Sequence, residues 1–431
     1  MTPEVKKRIE QIRQGIVPEG YVKDKDGIYP RDWASKKIGQ WLKLAERSIV
    51  LQDEEEYQLV TIRRGFGGVD SRGSFLGKNV LVKNYFIVKT GDFIISKRQI
   101  AHGACGIVPP ELDGAVVSNE YNVFLPQDGT NIQMFNLMMQ LPHYKRLFYL
   151  MSDGVHIEKL LFKTQDWMKR TLAMPLLKEQ KKIAEILSTQ DRAIELQGRK
   201  IEELKRFKQG CLERMFPRKG QKVPEKRFPG FTDDWEQRKL GDIGKARSGV
   251  GFPDAEQGGV TGIPFFKVSD MNLGGNENEM TVANNYVTAE QIAVHRWSPI
   301  TELPAIFFAK VGAAVMLNRK RLCRFPFLLD NNTMAYSLSS TKWDADFAKA
   351  LFGTVDLTSL VQAGALPSYN AGDVESMEIY LPSLLEQEQI GGFFKQLDNL
   401  ITLHQRKLEE MKKQKKALMQ LLLTGIVRVK A

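Results

Sequence analysis

Arginine, lysine, asparagine and glutamine gather in short loops at two places along this chain. Such side chains hydrogen-bond base edges and phosphates. In the first half they are Arg63, Arg64, Arg72, Lys97, Arg98, Gln99 and Asn119, with His102 beside them. In the second half they are Lys267, Lys310, Asn318, Arg319, Lys320, Arg321, Asn331 and Asn332. Arg and Lys bridge to guanine, Asn and Gln to adenine, and any of them to a phosphate. Taken singly, each is explained equally well as solvated surface. As a set, at comparable places in both halves of a chain of net charge +11, they point to DNA.

Catalytic chemistry is harder to find. The chain has no GxxxxGK followed by Ser or Thr, the loop that cradles ATP phosphates. It has no glycine-rich strand-turn-helix fingerprint for S-adenosylmethionine. The Asn/Asp-Pro-Pro-Tyr/Phe tetrapeptide that holds a base for amino methylation is missing too. His102, His143, His156, His295 and His404 show no pairing at metal-ligand spacing, and the acidic run Asp53–Glu56 reads as solvated charge. No cofactor or metal site is expected on this chain. Cys105, Cys211 and Cys323 are few, odd in number and far apart, which fits a reducing cytosol rather than a disulfide framework. No apolar run approaches the roughly 20 residues needed to span a bilayer. The start, MTPEVKKRIEQIRQ, is charged and amphipathic rather than a secretory signal, so a cytoplasmic location is expected.

The elements that must position the basic loops repeat. Residues 175–216 and 382–423 are two copies of one helix: Pro175 matches Pro382, Glu179-Gln180 matches Glu386-Gln387, and Asp191 matches Asp398. The offset is constant, since 382 − 175 and 398 − 191 both give 207. Upstream, Asp32-Trp33 with Lys37-Ile38-Gly39 is echoed by Asp234-Trp235 with Lys239-Leu240-Gly241. The chain is therefore a tandem repeat whose framework is similar and whose inserts diverge, a layout suited to one scaffold with two specificities.

Heptad spacing on the helices places Leu187, Ile194, Ile201 and Leu204 on one seam and Phe394, Leu397, Ile401, Leu408 and Met411 on the other. Matching polar interruptions fall at Gln197/His404 and Lys208/Lys415, a device that sets register in coiled coils. Gly391-Gly392 either weaken the second helix by about 1 kcal/mol each or permit close helix approach. Phe393, Phe394, Leu397 and Leu400 exceed what a two-helix seam buries, so partner helices are expected to cover the remainder. The helix over 178–215 reaches about 57 Å at roughly 1.5 Å per residue. Antiparallel pairing would make the repeat a pseudo-twofold and turn the helices into a ruler between two half-sites.

Each globular segment reads as α+β. Strands are predicted at 57–62, 80–82, 93–96, 121–125, 264–268, 305–308 and 334–338, and helices at 132–150 and 345–361. The glycine-rich stretch RRGFGGVDSRGS at 63–74 reads as a loop. The predicted organisation is an N-terminal segment (1–30), a first globular domain (31–174) and a central spacer helix (175–217). A second globular domain (218–381) and a C-terminal spacer helix (382–425) follow.

The Asp-Trp start with its Lys-φ-Gly, the GDFIISK segment at 91–97 and the two Pro-x-x-x-Glu-Gln helix starts resemble the specificity (S) subunit of type I restriction–modification systems. The resemblance covers essentially the whole chain. Each helix start carries one proline where the family often has two, and AIFFAK at 305–310 lacks the preceding Gly-Asp. The resemblance implies two target recognition domains that each read half of a bipartite, asymmetric site in double-stranded DNA. It implies a coiled coil that docks two methyltransferase (M) subunits, and motor-nuclease (R) subunits that join them. S-adenosylmethionine, ATP and Mg would then sit on those partners, leaving this chain non-catalytic. Two other readings compete. A self-contained DNA-modifying enzyme would methylate DNA alone, and a coiled-coil adaptor would show no sequence-specific DNA binding.

Overall fold

The repeated helices run over Leu177–Met215 and Leu384–Leu423. The computed structural model describes residues 2–24, 27–154, 160–218, 220–338, 341–361 and 367–429, so His156 lies outside the described residues. The chain divides into two compact units, 1–195 with 409–431, and 196–408. Each unit therefore takes one globular segment and a part of both long helices.

Within the first unit, the Asp-Trp start forms the strand Ala34–Lys37, which pairs antiparallel with Thr171–Met174 just before the central helix. Trp33 and Ile38 are buried there. A four-stranded antiparallel sheet follows in the order Cys105–Ile107, Phe93–Ser96, Tyr121–Pro126, Leu42–Leu44. Beside it lies a five-stranded sheet of Ser48–Val50, Asn84–Ile87, Val116–Ser118, Glu56–Ile62 and Val69–Leu76. Trp167, fully buried, sits among Phe124, Phe135, Phe148 and Phe162 at ring distances of 5.6–6.4 Å.

The second unit repeats the plan. Glu236–Lys239 pairs with Glu378–Leu381 just before the C-terminal helix, over a buried Trp235 and Leu240. Its four-stranded antiparallel sheet has the equivalent order, Lys320–Cys323, Ala305–Ala309, Thr333–Leu338, Gly244–Ser248. The neighbouring sheet is small: Tyr286–Val287, Ile263–Phe266 and Leu328–Leu329. The fold is the α+β tandem repeat that the sequence leads one to expect.

The duplicated helix residues have duplicated tasks. The Gln180 side chain donates to Pro175 O (2.8 Å) and Gly129 O (2.9 Å) and accepts from the Asn131 N–H (2.7 Å). Asn131 in turn caps the helix Ile132–Met139. Gln387 donates to Pro382 O (3.1 Å) and Lys342 O (3.1 Å) and accepts from the Asp344 N–H (3.0 Å). Asp344 caps the helix Ala345–Thr354. Thus one buried amide locks the start of each long helix onto the cap of another helix.

Antiparallel helix pairing is visible inside each unit. In the second, Gln197 bonds His404 (2.8 Å) and Lys208 bonds Asp398 (2.5 Å), so partners descend as positions rise. In the first, Asp191 pairs with Lys415 (2.5 Å), and Leu187 shares a core with Leu422 and Leu423. Asp191–Lys415 and Lys208–Asp398 are one contact written twice, since 398 − 191 and 415 − 208 both give 207. Of the seam residues, Leu187, Ile201, Leu204, Phe394, Leu397 and Ile401 are buried, while Ile194, Leu408 and Met411 are half-buried.

Several expectations need correction. The helix expected over 132–150 is two, Ile132–Met139 and Pro142–Leu150, because Pro142 has no N–H to continue a helix and occupies the first turn of the next. The helix expected to reach 361 ends at Thr354, where the Val355 carbonyl accepts from Asn318 Nδ2 (3.2 Å) and Lys320 Nζ (2.5 Å) instead. Residues 80–82 enter no ladder; only Val80 is buried there, while Leu81 is fully exposed. The loop expected over 63–74 is short, because Val69–Leu76 pairs with Glu56–Ile62. Phe394 and Leu397 are buried in the second unit's own core and Phe393 packs on Phe228, so a partner is not needed to cover them. The long helix buries a face against its own globular segment as well as its seam. Only Leu400, at 39 % exposure, stays substantially open.

Gly391 and Gly392 divide the two roles between them. A Cβ on Gly391 would lie 2.2 Å from Asp344 Oδ1 and 2.5 Å from the Phe347 N, whereas one on Gly392 would meet nothing within 4 Å. Gly392→Ala is expected to raise stability by about 1 kcal/mol through helix propensity. Gly391→Ala is expected to lower it despite the same propensity gain. Urea unfolding of the two variants separates them, and equal signs would sink the assignment.

Candidate nucleic-acid interface

In the first unit the basic loops meet at one end of the four-stranded sheet. Ser96 lies opposite Tyr121, so Lys97 and Glu120 leave their strands together. The Lys97 N–H donates to Glu120 O (2.9 Å), and Arg98 Nε donates to Glu120 Oε2 (2.6 Å). Asn119, next in the turn, is exposed. Gln99 starts the single helical turn Ile100–His102, which ends at Gly103 in the left-handed region. There the backbone carbonyls of His102 and Gly103 accept from the N–H groups of Gly65 (2.7 Å) and Phe66 (2.8 Å), bringing in Arg63 and Arg64. Arg63 is ion-paired with Asp70 on the following strand. Arg72 is exposed on that strand. Burial raises the Tyr121 hydroxyl, and the Arg72 charge opposes that shift.

The second unit has the same junction. Ala309 lies opposite Thr333, and the Lys310 N–H donates to Asn332 O (2.9 Å) where Lys97 donates to Glu120 O. Asn331 and Asn332 are exposed at this turn. Behind them, burial raises the Asp330 carboxyl, although Thr333, Asn332 and Lys267 lower it in part. Asp330 is tied through its N–H to Phe266 O (3.0 Å), which places Lys267 alongside, its Nζ on Gln257 Oε1 (3.0 Å).

Asn318, Arg319, Lys320 and Arg321 are placed differently. Asn318 takes the left-handed conformation after a short helical turn, at the position Gly103 holds in the first unit. Its amide is spent inside the domain, accepting from the Leu357 N–H (3.1 Å) and Lys320 Nζ (2.7 Å). Burial brings the Lys320 ammonium down to about 8. Arg321 Nε donates to Asn276 O (2.6 Å), and Arg319 donates to Asn272 Oδ1 (2.7 Å). These residues line a cleft of about 310 Å³ with Lys208, Lys349 and Lys395. They are not brought into the turn of Asn331 and Asn332.

Residue type alone did not pick out Glu120, Phe66, Gly103 or Asp330, which orient the basic side chains rather than carry charge to a ligand. A phenylalanine set among glycines in RRGFGG was the signal available for one of them.

The model of the type I restriction modification DNA specificity domain matches residues 30–206 and again 232–413. The chain belongs to this family. Its relatives include the type I restriction enzyme MjaVIII specificity subunit of Methanocaldococcus jannaschii, 23 % identical, with 93 % of this chain and 94 % of that protein covered. The putative MjaX specificity subunit of the same organism is 24 % identical, with 96 % and 97 % covered. The fold is similar to a chain in a structure describing assembly and conformational transition of the type I R-M system (TM-score 0.59, 15 % identity, 93 % and 99 % covered). It is also similar to the type I S subunit from M. genitalium (TM-score 0.54, 14 % identity, 90 % and 96 % covered). A specificity-giving, non-catalytic role goes with this family. The two matched stretches each carry one of the equivalent sheet ends, 97–120 and 310–332. Among the described residues, no helix is long and apolar enough to cross a membrane.

Proposed function

We propose that this chain gives a type I restriction–modification complex its DNA sequence specificity, each sheet end reading one half of a bipartite, asymmetric duplex site. The observation that carries this is the junction built twice. Lys97 on Glu120 and Lys310 on Asn332 are the same backbone contact, surrounded by Arg63, Arg64, Arg98, Gln99 and Asn119 in one unit and by Lys267, Asn331 and Asn332 in the other. An identical frame with unlike side chains suits two unlike half-sites. Arg72 and His102 flank the first of these surfaces.

In this reading the paired helices dock two methyltransferase subunits, and motor-nuclease subunits join them. S-adenosylmethionine, ATP and Mg are carried by those partners, in the cytoplasm. Exposed leucines recur at the repeat offset, Leu196 (62 %) with Leu403 (63 %) and Leu177 (36 %) with Leu384 (42 %), which supports one partner bound twice.

Methylome sequencing tests the reading, in hosts carrying the methyltransferase with and without this chain. The expected result is a methylated motif of two short unlike blocks at fixed spacing that vanishes with the chain. An unchanged methylome in a host with active methyltransferase would overturn the proposal and leave a protein-binding adaptor in its place.

A further inference from the structure

In the first unit the turn 63–68 is fixed against the core at the cost of backbone strain. Phe66 sits at φ +61°, a left-handed conformation that is unfavourable for a bulky L-residue and is kept only where the surroundings enforce it. The enforcement is visible. The Arg63 N–H closes the turn on Gly68 O (3.0 Å), and the Gly65 and Phe66 N–H groups are fixed on His102 O and Gly103 O. The Phe66 ring lies on Gly103, where a Cβ would come 2.9 Å from the ring, and Gly103 itself has φ +75°. The residues so fixed include two exposed arginines, Arg63 and Arg64, in reach of the loop that carries Lys97, Arg98 and Gln99.

We propose that this turn is a rigid base-reading finger in which Phe66 on Gly103 is the positioning clamp and Arg64 reads a guanine of the first half-site. A backbone held by hydrogen bonds and a ring seat suits a bidentate guanidinium contact to guanine O6 and N7, because it limits the positions from which the arginine can reach the base. The inference rests on the DNA-specificity reading above and goes further by naming the base class and the device that aims the side chain. Phe66 and Gly103 touch no DNA; they act through Arg64.

The test uses the complex of the full chain with its methyltransferase subunits, selected against a random-sequence duplex library. Wild type and the variants Arg64→Ala, Arg64→Lys and Gly103→Ala run side by side. The expected wild-type result is a two-block motif. Arg64→Ala should reduce preference for guanine at one position of one block by about 10- to 100-fold, leaving the other block and the affinity for unrelated duplex unchanged. Arg64→Lys should not restore it, because the ammonium lacks the planar fork. Gly103→Ala should blur the same block and no other. An unchanged motif in Arg64→Ala, or an even loss on all duplexes, would overturn the finger while leaving the specificity reading intact. A wild-type complex that selects no motif would overturn both.

Discussion

Replacing Asp398 with alanine is expected to cost about 3–5 kcal/mol. Its carboxylate is 7 % exposed and meets Lys208 (2.5 Å) from the central helix and Lys349 (2.7 Å) from the neighbouring helix. Removing it leaves two half-buried ammonium groups facing each other without the carboxylate that bridges them. Burial pushes the Asp398 carboxyl up, but Lys349 and Lys208 outweigh it, so its pKa lies below the ordinary 3.8. The folded form therefore binds this proton more weakly than the unfolded form. The stabilisation is complete above 3.8 and is lost as pH falls through the lower, folded value. Urea unfolding at pH 7 should show the full gap between wild type and Asp398→Ala, narrowing on acidification below pH 3.8. The repeat supplies a control. Asp191, with Lys415, holds the equivalent place but is 48 % exposed, so Asp191→Ala should cost under about 1 kcal/mol. Equal losses from the two variants would show that burial does not set the value of this contact.

The second large effect is expected at the other duplicated acid. Glu386 is 1 % exposed and binds Arg227, 13 % exposed, through both oxygens (2.8 and 2.7 Å). Among the described residues, Glu386→Ala leaves that guanidinium hydrogen-bonded to the Asp233 carbonyl (2.9 Å) with its bidentate carboxylate gone, and is expected to cost about 3–5 kcal/mol. Glu179 makes the equivalent bidentate contact with Arg428, which is 36 % exposed and also held by Asp32. Water and Asp32 remain available to Arg428, so Glu179→Ala should cost about 1–2 kcal/mol. Thermal melts of the two variants check the order. A larger fall for Glu179→Ala would refute it.

What lay open in the chain was whatever depends on neighbours a few residues away or on the repeat. The heptad seams and helix starts are local patterns, and the 207-residue offset singles out Gln197 with His404 and Lys208 with Lys415. Glu179-Gln180 and Glu386-Gln387 stood out as repeated, but their work was not legible. Gln180 finds Asn131, and Glu179 finds Arg428, 249 residues away, because pairing across such distances is chosen by packing rather than by spacing. The same holds for the basic loops. Residue type nominated Asn318, Lys320 and Arg321 as readily as Asn331 and Asn332. A half-buried carbonyl at Val355 then claims the first two side chains and Asn276 claims Arg321, since an unpaired polar group inside the fold costs more than a solvated one. The sequence by itself determined the tandem α+β plan, the long amphipathic helices and the polycationic character of the loops, because periodicity and charge are properties of the chain. Which loops share a sheet end, and which cations are left for a ligand, was decided only in the tertiary structure, where each donor is matched to the acceptors that folding brings within about 3 Å.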